Sequence, residues 1–397
     1  MPSAYRFIDE VGRLLLTLLG NVILVAFEMS EYGRFSRSVG TVGCRVRGPR
    51  HTHQWAVRHR PGPSRVADAS GRRPHGKAYG GGLSSEQKAN RGGRVDVEPI
   101  PQWPGRLVDV GDASLHVRTT PEGPGETAVY VHGLAGSATN WTDLMGELAG
   151  DVRGVAVDLP GAGYSPEPED GDYSVAGHAN AVARLVEHIG GPVHLLGNSM
   201  GGAVSVRVAA TRPDLVKTLT LVSPALPDLM PRYGPARVAM SAAPRLGELA
   251  LRWLGALPPE RRMRATLSMC YADVGRVHPE RLREAVEELR RRDGLPYSGT
   301  AMIECARAIV REYFRLGSEN LWRQAARVTA PTLVIYGLRD RLVHARMAHR
   351  AGRVFPDVRL VTLPHAGHVA QMEYPEVVAA EVRRLLGQTR IPLRRSA

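Results

Sequence analysis

Length, charge and cysteine content exclude several classes of protein. The chain has 397 residues, 43% of them hydrophobic, so it can bury one large core or two to three smaller ones. Its three cysteines, Cys44, Cys270 and Cys305, lie far apart, which argues against a disulfide framework and a zinc site and fits a reducing, cytoplasmic compartment. The net charge is +13, but residues 1–95 hold 16 Lys and Arg against 6 Asp and Glu and so carry +10 of it. The basicity is therefore no sign that the rest of the chain binds nucleic acid.

Residues 1–95 are predicted to form a basic, largely disordered extension. The most apolar run of the chain, Leu14 to Phe27, has fourteen residues, whereas a helix that spans a bilayer needs ~20. No Ala-x-Ala cleavage site follows it, so a short hydrophobic helix is the preferred interpretation and membrane association the alternative. Residues 48–93 are rich in Arg, Gly, Pro, Ser and His and show no apolar periodicity. Such a segment buries too little surface to offset its ordering entropy.

From residue 104 the sequence alternates between predicted strands and helices. Residues 106–110 and 114–119 flank Gly111-Asp112, which predicts a hairpin. Apolar strands are predicted at 128–131, 154–157, 193–196 and 216–222, and helices at 141–148, 173–189 and directly after residue 199. This alternation predicts an α/β protein with a mostly parallel central sheet, right-handed crossovers and helices on both faces.

Three motifs follow predicted strands in this half of the chain. The first is His132-Gly133-Leu134-Ala135-Gly136-Ser137, which resembles the loop where many serine hydrolases place an oxyanion-hole amide; an ordinary glycine-rich strand-to-helix loop is the alternative. The second runs from Asp158 to Ser165, and Asp158 is interpreted as a carboxylate that braces the loop. The third is Gly197-Asn198-Ser199-Met200-Gly201-Gly202, at a strand-to-helix junction. A serine on so sharp a turn is typical of a nucleophile, and the glycines leave room for the backbone that crosses it.

The second half of the chain interrupts this alternation and then resumes it. Residues 224–326 have helical patterning, with a charged segment at 281–292 and a more apolar one at 300–316. The arginines there are interpreted as solvated helix surface, with binding of an anionic substrate as the alternative. Further strands are predicted at 332–336 and 359–363, and a last helix from Glu373-x-Pro375 to Leu386. Asp340 follows the first of these strands and His368 the second.

Residues 104–387 resemble the α/β-hydrolase fold. The resemblance rests on His132-Gly133 after a strand, on the Asp158-x-x-Gly161-x-Gly163-x-Ser165 loop and on the Gly197-x-Ser199-x-Gly201-Gly202 elbow, in the family's order. It implies a hydrolase core made of residues 104–223 and 327–387, with a helical cap at 224–326 inserted between the two parts.

The resemblance also implies a catalytic site. The family's chain order of serine, acid and histidine assigns Ser199 as nucleophile, Asp340 as the acid and His368 as the base. His365 is set aside, because the Gly-His pair and the spacing to Glu-x-Pro belong to His368. The backbone amides of Leu134 and Met200 are implied as the oxyanion hole. The expected reaction needs neither a metal ion nor an organic cofactor.

The expected function is hydrolysis of a small carboxylic ester through an acyl-enzyme, with an apolar acyl compound as substrate and no nucleic-acid partner. Haloalkane dehalogenases and epoxide hydrolases of this fold use aspartate at the elbow, so Ser199 argues against both. Three alternatives stay open: a carbon–carbon hydrolase of aromatic ring-fission products, a cofactor-free perhydrolase, and a non-catalytic binding protein on a hydrolase scaffold. For carbon–carbon cleavage, Asn198 and an arginine of the cap are candidates for the leaving-group side, although the glycine-rich loop is shorter than is usual there. The oligomeric state is left open.

Overall fold

The computed structural model describes residues 99–121, 125–228, 243 and 255–390. The predicted N-terminal extension, with its apolar run and its disordered stretch, therefore lies outside the described residues. So does most of the stretch from 229 to 254 within the predicted cap. Within the described ranges, every helix is too short or too polar to cross a membrane.

The described strands form one eight-stranded sheet. They are β1 (Gly105–Asp109), β2 (Ser114–Thr119), β3 (Thr127–Val131), β4 (Arg153–Val157), β5 (Val193–Asn198), β6 (Val216–Val222), β7 (Thr332–Gly337) and β8 (Val358–Leu363). Their spatial order is β1-β2-β4-β3-β5-β6-β7-β8. The hairpin β1–β2 is antiparallel, and β2 pairs antiparallel with β4, whereas all other neighbours are parallel. The prediction of a mostly parallel central sheet is confirmed.

Ten α-helices lie in the described part of the chain. They are α1 (Thr142–Leu148), α2 (Val175–Ile189), α3 (Met200–Thr211), α4 (Pro259–Cys270), α5 (Pro279–Asp293), α6 (Ser298–Glu312), α7 (Leu321–Ala325), α8 (Met347–Val354), α9 (Ala370–Glu373) and α10 (Pro375–Arg390). The prediction that the apolar segment 300–316 is helical to its end is wrong, because α6 ends at Glu312. Beyond it Phe314 and Leu316 are exposed, so they offer the helix no buried face to continue.

Local signals explain where these elements begin and end. Ser174 precedes α2, and its side chain accepts a hydrogen bond from the Gly177 amide, one of the amides that a helix leaves unpaired at its start. Gly190 ends the helix in the left-handed conformation, at φ 87°, which glycine adopts without a steric penalty. Every residue of β5 is buried, as expected for a central parallel strand covered by helices on both faces.

The sheet separates two hydrophobic cores. One lies under α2, α3 and α6 to α8, and the other under α1, α9 and α10. Leu195 and Leu196 of β5 point into opposite cores and are both at most 1% exposed. Truncating either to alanine should cost about 2–5 kcal/mol of folding free energy. A strand fixed on both faces is a rigid base for the turn that follows it.

Residues 255–326, which we call the helical insert, lie between β6 and β7 and contain α4 to α7 in the described part of the chain. The charged segment predicted at 281–292 is confirmed as α5. Whether the insert acts as a cap over a catalytic site stays a prediction.

Candidate active site

Ser199 stands on a strained turn between β5 and α3. Its backbone angles are φ 54° and ψ −118°, a region that non-glycine residues rarely occupy. Such a conformation costs on the order of 1–3 kcal/mol and persists only where the surroundings hold it. The Ser199 amide donates to Val222 O at 3.1 Å, and the amide of Ala225 donates to Ser199 O at 2.9 Å. Two backbone hydrogen bonds, with the last residue of β6 and with the loop that follows it, therefore hold the turn in place.

The glycines of the elbow are required by close backbone contacts. A Cβ atom on Gly197 would lie 2.4 Å from Gly201 O, and one on Gly201 would lie 2.3 Å from Val131 O. Both distances are shorter than real Cβ contacts. A side chain at Gly197 would push the start of α3 away from β5, and one at Gly201 would push it away from the end of β3. This agrees with the reason that the sequence suggested for the two glycines.

His368 and Asp340 form a buried hydrogen-bonded pair at the ends of β8 and β7. His368 Nδ1 lies 2.9 Å from Asp340 Oδ2, and the two side chains are 5% and 0% exposed. Burial alone would raise the pKa of Asp340, but the charge and hydrogen bond of His368 and the backbone amide of Val343 outweigh it and hold that pKa below its usual value. An ionised carboxylate only accepts hydrogen bonds, so Nδ1 carries the proton and Nε2 is left as the acceptor.

Backbone and side-chain contacts hold the His368 loop in place. The His368 amide donates to Cys270 O at 2.7 Å. Glu373, which is 2% exposed, accepts from the Gly367 amide at 2.7 Å and from the Ala272 amide at 2.9 Å. No role was predicted for Glu373 beyond its spacing to Pro375. The structure shows that its carboxylate joins the His368 loop to the end of α4.

Asn198 connects the serine turn to the histidine loop. Its Nδ2 donates to Val222 O at 3.0 Å and to His368 O at 3.1 Å. The turn that carries Ser199 and the loop that carries His368 are thus adjacent, although no hydrogen bond joins their side chains among the described residues. Because both amide protons of Asn198 are used by the backbone, the suggestion that Asn198 serves a leaving group finds no support in its contacts.

The loop after β3 lies against the serine turn. A Cβ atom placed on Gly133 would be 3.0 Å from Ser199 Cβ. The Leu159 amide donates to His132 Nε2 at 3.0 Å, so His132 is protonated on Nδ1 and donates from there to Gly133 O at 2.7 Å. Burial lowers the pKa of His132 and keeps the ring neutral. Because a peptide is planar, this fixed carbonyl also sets the direction of the Leu134 amide.

The second predicted amide belongs to Met200, the first residue of α3. The first amides of a helix have no partner within the helix and carry its positive dipole end. Met200 and residues 132–136 line the same small cleft, together with Leu159, Pro160, Gly161, Ala162, His178, Arg292, Ser298, Ala301, Met302 and Cys305. Residues of both the core and the helical insert line the cleft, so the cleft lies between them.

Two residues of the cleft, His178 and Arg292, were not identified from the sequence, which suggested only an unspecified arginine of the cap. His178 of α2 is fully buried, its Nε2 lies 3.4 Å from Cys305 Sγ, and burial lowers its pKa to about 4. The ring is therefore neutral at pH 7. Arg292 of α5 donates from Nη1 to Ala135 O at 3.0 Å. The interpretation of the insert's arginines as purely solvated surface is wrong at this position.

Asp158 lies in a separate buried cluster. It accepts from the Ala138 amide at 2.6 Å, from the Tyr164 amide at 2.9 Å and from His116 Nδ1 at 2.7 Å. These are the contacts of a loop-bracing carboxylate, as the sequence analysis predicted. His365, set aside as the base, is exposed. Among the described residues, no group of three or more His, Cys, Asp and Glu side chains is placed to hold a metal ion.

Comparison with known proteins gives the class. Residues 129–375 match the α/β-hydrolase fold family, and the chain belongs to that family. The eight-stranded sheet, with a serine at the turn after its fifth strand, has the architecture that this membership requires.

Individual relatives act in different reactions. The chain is 28% identical over 275 residues to the dihydrolipoyllysine-residue acetyltransferase component of the acetoin cleaving system of Cupriavidus necator, covering 69% of this chain and 67% of that protein. It is 27% identical over 285 residues to 2-(acetamidomethylene)succinate hydrolase of Mesorhizobium japonicum, covering 71% and 94%. The structure of 2-hydroxy-6-oxo-6-phenylhexa-2,4-dienoate hydrolase from a Rhodococcus strain superposes with a TM-score of 0.59 at 22% identity, covering 72% and 98%, and shows the shared fold alone.

Proposed function

We propose that the protein is a serine hydrolase that cleaves a small carboxylic ester through an acyl-enzyme intermediate. Membership of the α/β-hydrolase family and similarity to a named hydrolase support hydrolysis as the reaction class. One observation carries the finer proposal. Ser199, held at φ 54° on the turn after β5, adjoins a loop whose His368 is bonded to a buried Asp340 at 2.9 Å.

The proposed roles follow from the protonation of the pair. Ser199 Oγ attacks the ester carbonyl while His368 Nε2 takes its proton. Asp340 keeps the proton of the ring on Nδ1 and stabilises the imidazolium that forms. His368 then gives the proton to the departing alkoxide, which leaves as an alcohol. A water molecule repeats the sequence on the acyl-enzyme, releases the acid and restores the serine.

The amides of Leu134 and Met200 are proposed to receive the negative charge that develops on the carbonyl oxygen. Their positions support this role, because the Gly133 loop and the start of α3 flank the serine turn. Removing one such donor typically costs about 3 kcal/mol of transition-state stabilisation. Side chains, backbone amides and water suffice for every step of this proposal.

A substrate panel tests the reaction type. p-Nitrophenyl esters of acetate, butyrate, octanoate and laurate would be assayed beside a ring-fission dienone, for the full-length protein and for Ser199→Ala and His368→Ala. We expect ester turnover, with both variants reduced by several orders of magnitude. Negligible ester turnover together with rapid consumption of the dienone would replace the ester proposal with carbon–carbon hydrolysis. Turnover of neither substrate, with no labelling by a fluorophosphonate, would favour a binding protein.

A further inference from the structure

Helix α5 of the insert contacts the loop that carries the proposed oxyanion amide. We call residues 132–139 the oxyanion loop. Glu288 Oε2 accepts from Ser137 Oγ at 2.8 Å and from Thr139 Oγ1 at 3.3 Å. Four residues further along the same helix face, Arg292 Nη1 donates to Ala135 O at 3.0 Å. One face of α5 thus binds the loop through a carboxylate and a guanidinium.

The contacted loop is strained. Ala135 has φ 61°, in the left-handed region that costs an alanine roughly 1–2 kcal/mol. The Gly136 amide closes the turn by donating to Gly133 O at 3.1 Å. Arg292 binds the Ala135 carbonyl, which belongs to the same planar peptide group as the Gly136 amide. If this contact were lost, relaxation at Ala135 would rotate the neighbouring peptides and move the Leu134 amide.

The charged side chains on the two faces of α5 have different partners. On the outer face, exposed Glu287 pairs with Arg283, and exposed Arg290 pairs with Glu260. Among the described residues, no basic group lies within salt-bridge distance of Glu288. In the same part of the chain, no acidic group lies within that distance of Arg292. The side chains of Glu288 and Arg292 are both half-buried. Both charged groups therefore bond to the oxyanion loop and form no salt bridge with each other.

We infer that Glu288 and Arg292 are positioning residues, which hold the oxyanion loop so that the Leu134 amide points at the reacting carbonyl. The inference rests on the proposed function. In this role the helical insert contributes to transition-state stabilisation and also lines the cleft. Neither residue contacts the side chain of Ser199 or His368, so both act through the loop, Arg292 through a backbone carbonyl and Glu288 through two hydroxyl groups.

Kinetics with p-nitrophenyl butyrate separate this role from substrate binding. We expect Arg292→Gln and Glu288→Gln to lower kcat by about 10-fold, a fraction of the 10²–10³ lost with a whole donor, while KM stays within about twofold. Arg292→Lys keeps a donor and should recover part of the loss. Arg290→Gln and Glu287→Gln, matched changes on the outer face, should leave both constants within about twofold. A raised KM at unchanged kcat would assign Arg292 to substrate binding and overturn the inference.

Hydrogen exchange gives a readout that does not depend on activity. We expect faster amide exchange over residues 132–139 in Arg292→Gln and Glu288→Gln than in the wild-type protein, and unchanged exchange there in Arg290→Gln and Glu287→Gln. Equal exchange in all five proteins overturns the inference even if kcat changes. If the wild-type protein turns over no ester, the proposed function fails, while the exchange experiment still decides whether α5 holds the loop.

Discussion

Two buried histidine–aspartate pairs in this protein have almost the same hydrogen-bond geometry. His368 Nδ1 lies 2.9 Å from Asp340, and His116 Nδ1 lies 2.7 Å from Asp158. Despite the opposing effect of burial, hydrogen bonds from a histidine side chain and from backbone amides hold the pKa of both aspartates below its usual value. Both aspartates are thus ionised acceptors at pH 7, and both histidines donate from Nδ1. The pair alone does not define a catalytic site.

The serine beside each pair makes the difference. Ser165 Oγ accepts from the His116 amide at 2.8 Å and donates to Asp158 O at 2.7 Å, and the residue is fully buried. The hydroxyl proton of Ser165 is therefore donated to a backbone carbonyl. Ser199 Oγ makes no hydrogen bond with the described residues, on a strained turn beside the cleft. We infer that a free hydroxyl on such a turn, more than the presence of a histidine–aspartate pair, marks the reactive centre.

The largest expected contrast is between the two serines. Ser199→Ala should lower kcat by roughly 10⁴–10⁶ and leave the fold intact, because it removes only the nucleophile. Ser165→Ala should keep kcat within about threefold and lower the melting temperature, because it leaves a buried amide unpaired at a cost of about 1–3 kcal/mol. Ester kinetics and thermal unfolding of both variants measure the contrast. More than a tenth of wild-type activity in Ser199→Ala would assign the chemistry elsewhere.

The next contrast is between the two aspartates. Asp340→Asn should reduce kcat by about 10⁴, because an amide favours the wrong tautomer of His368. Asp158→Asn should change kcat little, because asparagine keeps the one oxygen that accepts from the Ala138 amide of the oxyanion loop. It should mainly lower stability, because the Tyr164 amide and His116 lose their acceptor. Steady-state kinetics and melting curves would be recorded for both. The reverse pattern would mean that the roles of the two pairs have been exchanged.

A smaller effect is expected in the acid stability of the fold. An aspartate with a lowered pKa in the folded state stabilises the protein above the unfolded value of about 3.9, and this contribution is lost as the pH falls through the folded pKa. Asp158→Asn removes one such group, so its melting temperature should fall less steeply below about pH 4 than that of the wild-type protein. Melting curves between pH 3 and pH 7 test this. If the melting temperatures of the two proteins fell equally steeply below pH 4, the pKa of Asp158 would be the same in the folded and unfolded states.

The smallest effect is expected from removing the N-terminal extension, because both pairs lie after residue 97. A chain that begins at Val95 should match the full-length protein in kcat within about twofold and in melting temperature within a few degrees. The same assays measure both quantities. A large loss in either would show that residues 1–94 support the hydrolase core.

The sequence predicts where Ser199, Asp340 and His368 lie, but it does not predict the contacts that distinguish the two histidine–aspartate pairs. The strand-to-helix turn, the acid after β7 and the histidine after β8 follow from apolar runs and from the order of motifs along the chain. Asp158 is interpreted from the sequence as a brace in preference to a catalytic acid, and its contacts agree with that interpretation. The hydrogen bond between His116 and Ser165 joins residues 49 positions apart in sequence, and the one between Ala272 and Glu373 joins residues 101 positions apart. No local pattern predicts such contacts. The same is true of Arg292, whose face on α5 looks like any other charged helix surface.

Labelling with a fluorophosphonate, followed by peptide mass spectrometry, tests the central claim most directly. The reagent forms a covalent bond only with a serine whose hydroxyl is activated as a nucleophile. We predict one label per chain, on Ser199, with Ser165 unmodified and with the labelling rate strongly reduced in His368→Ala. Ester turnover by a protein that carries no label on Ser199, or a label on any other serine that abolishes turnover, would contradict the assignment.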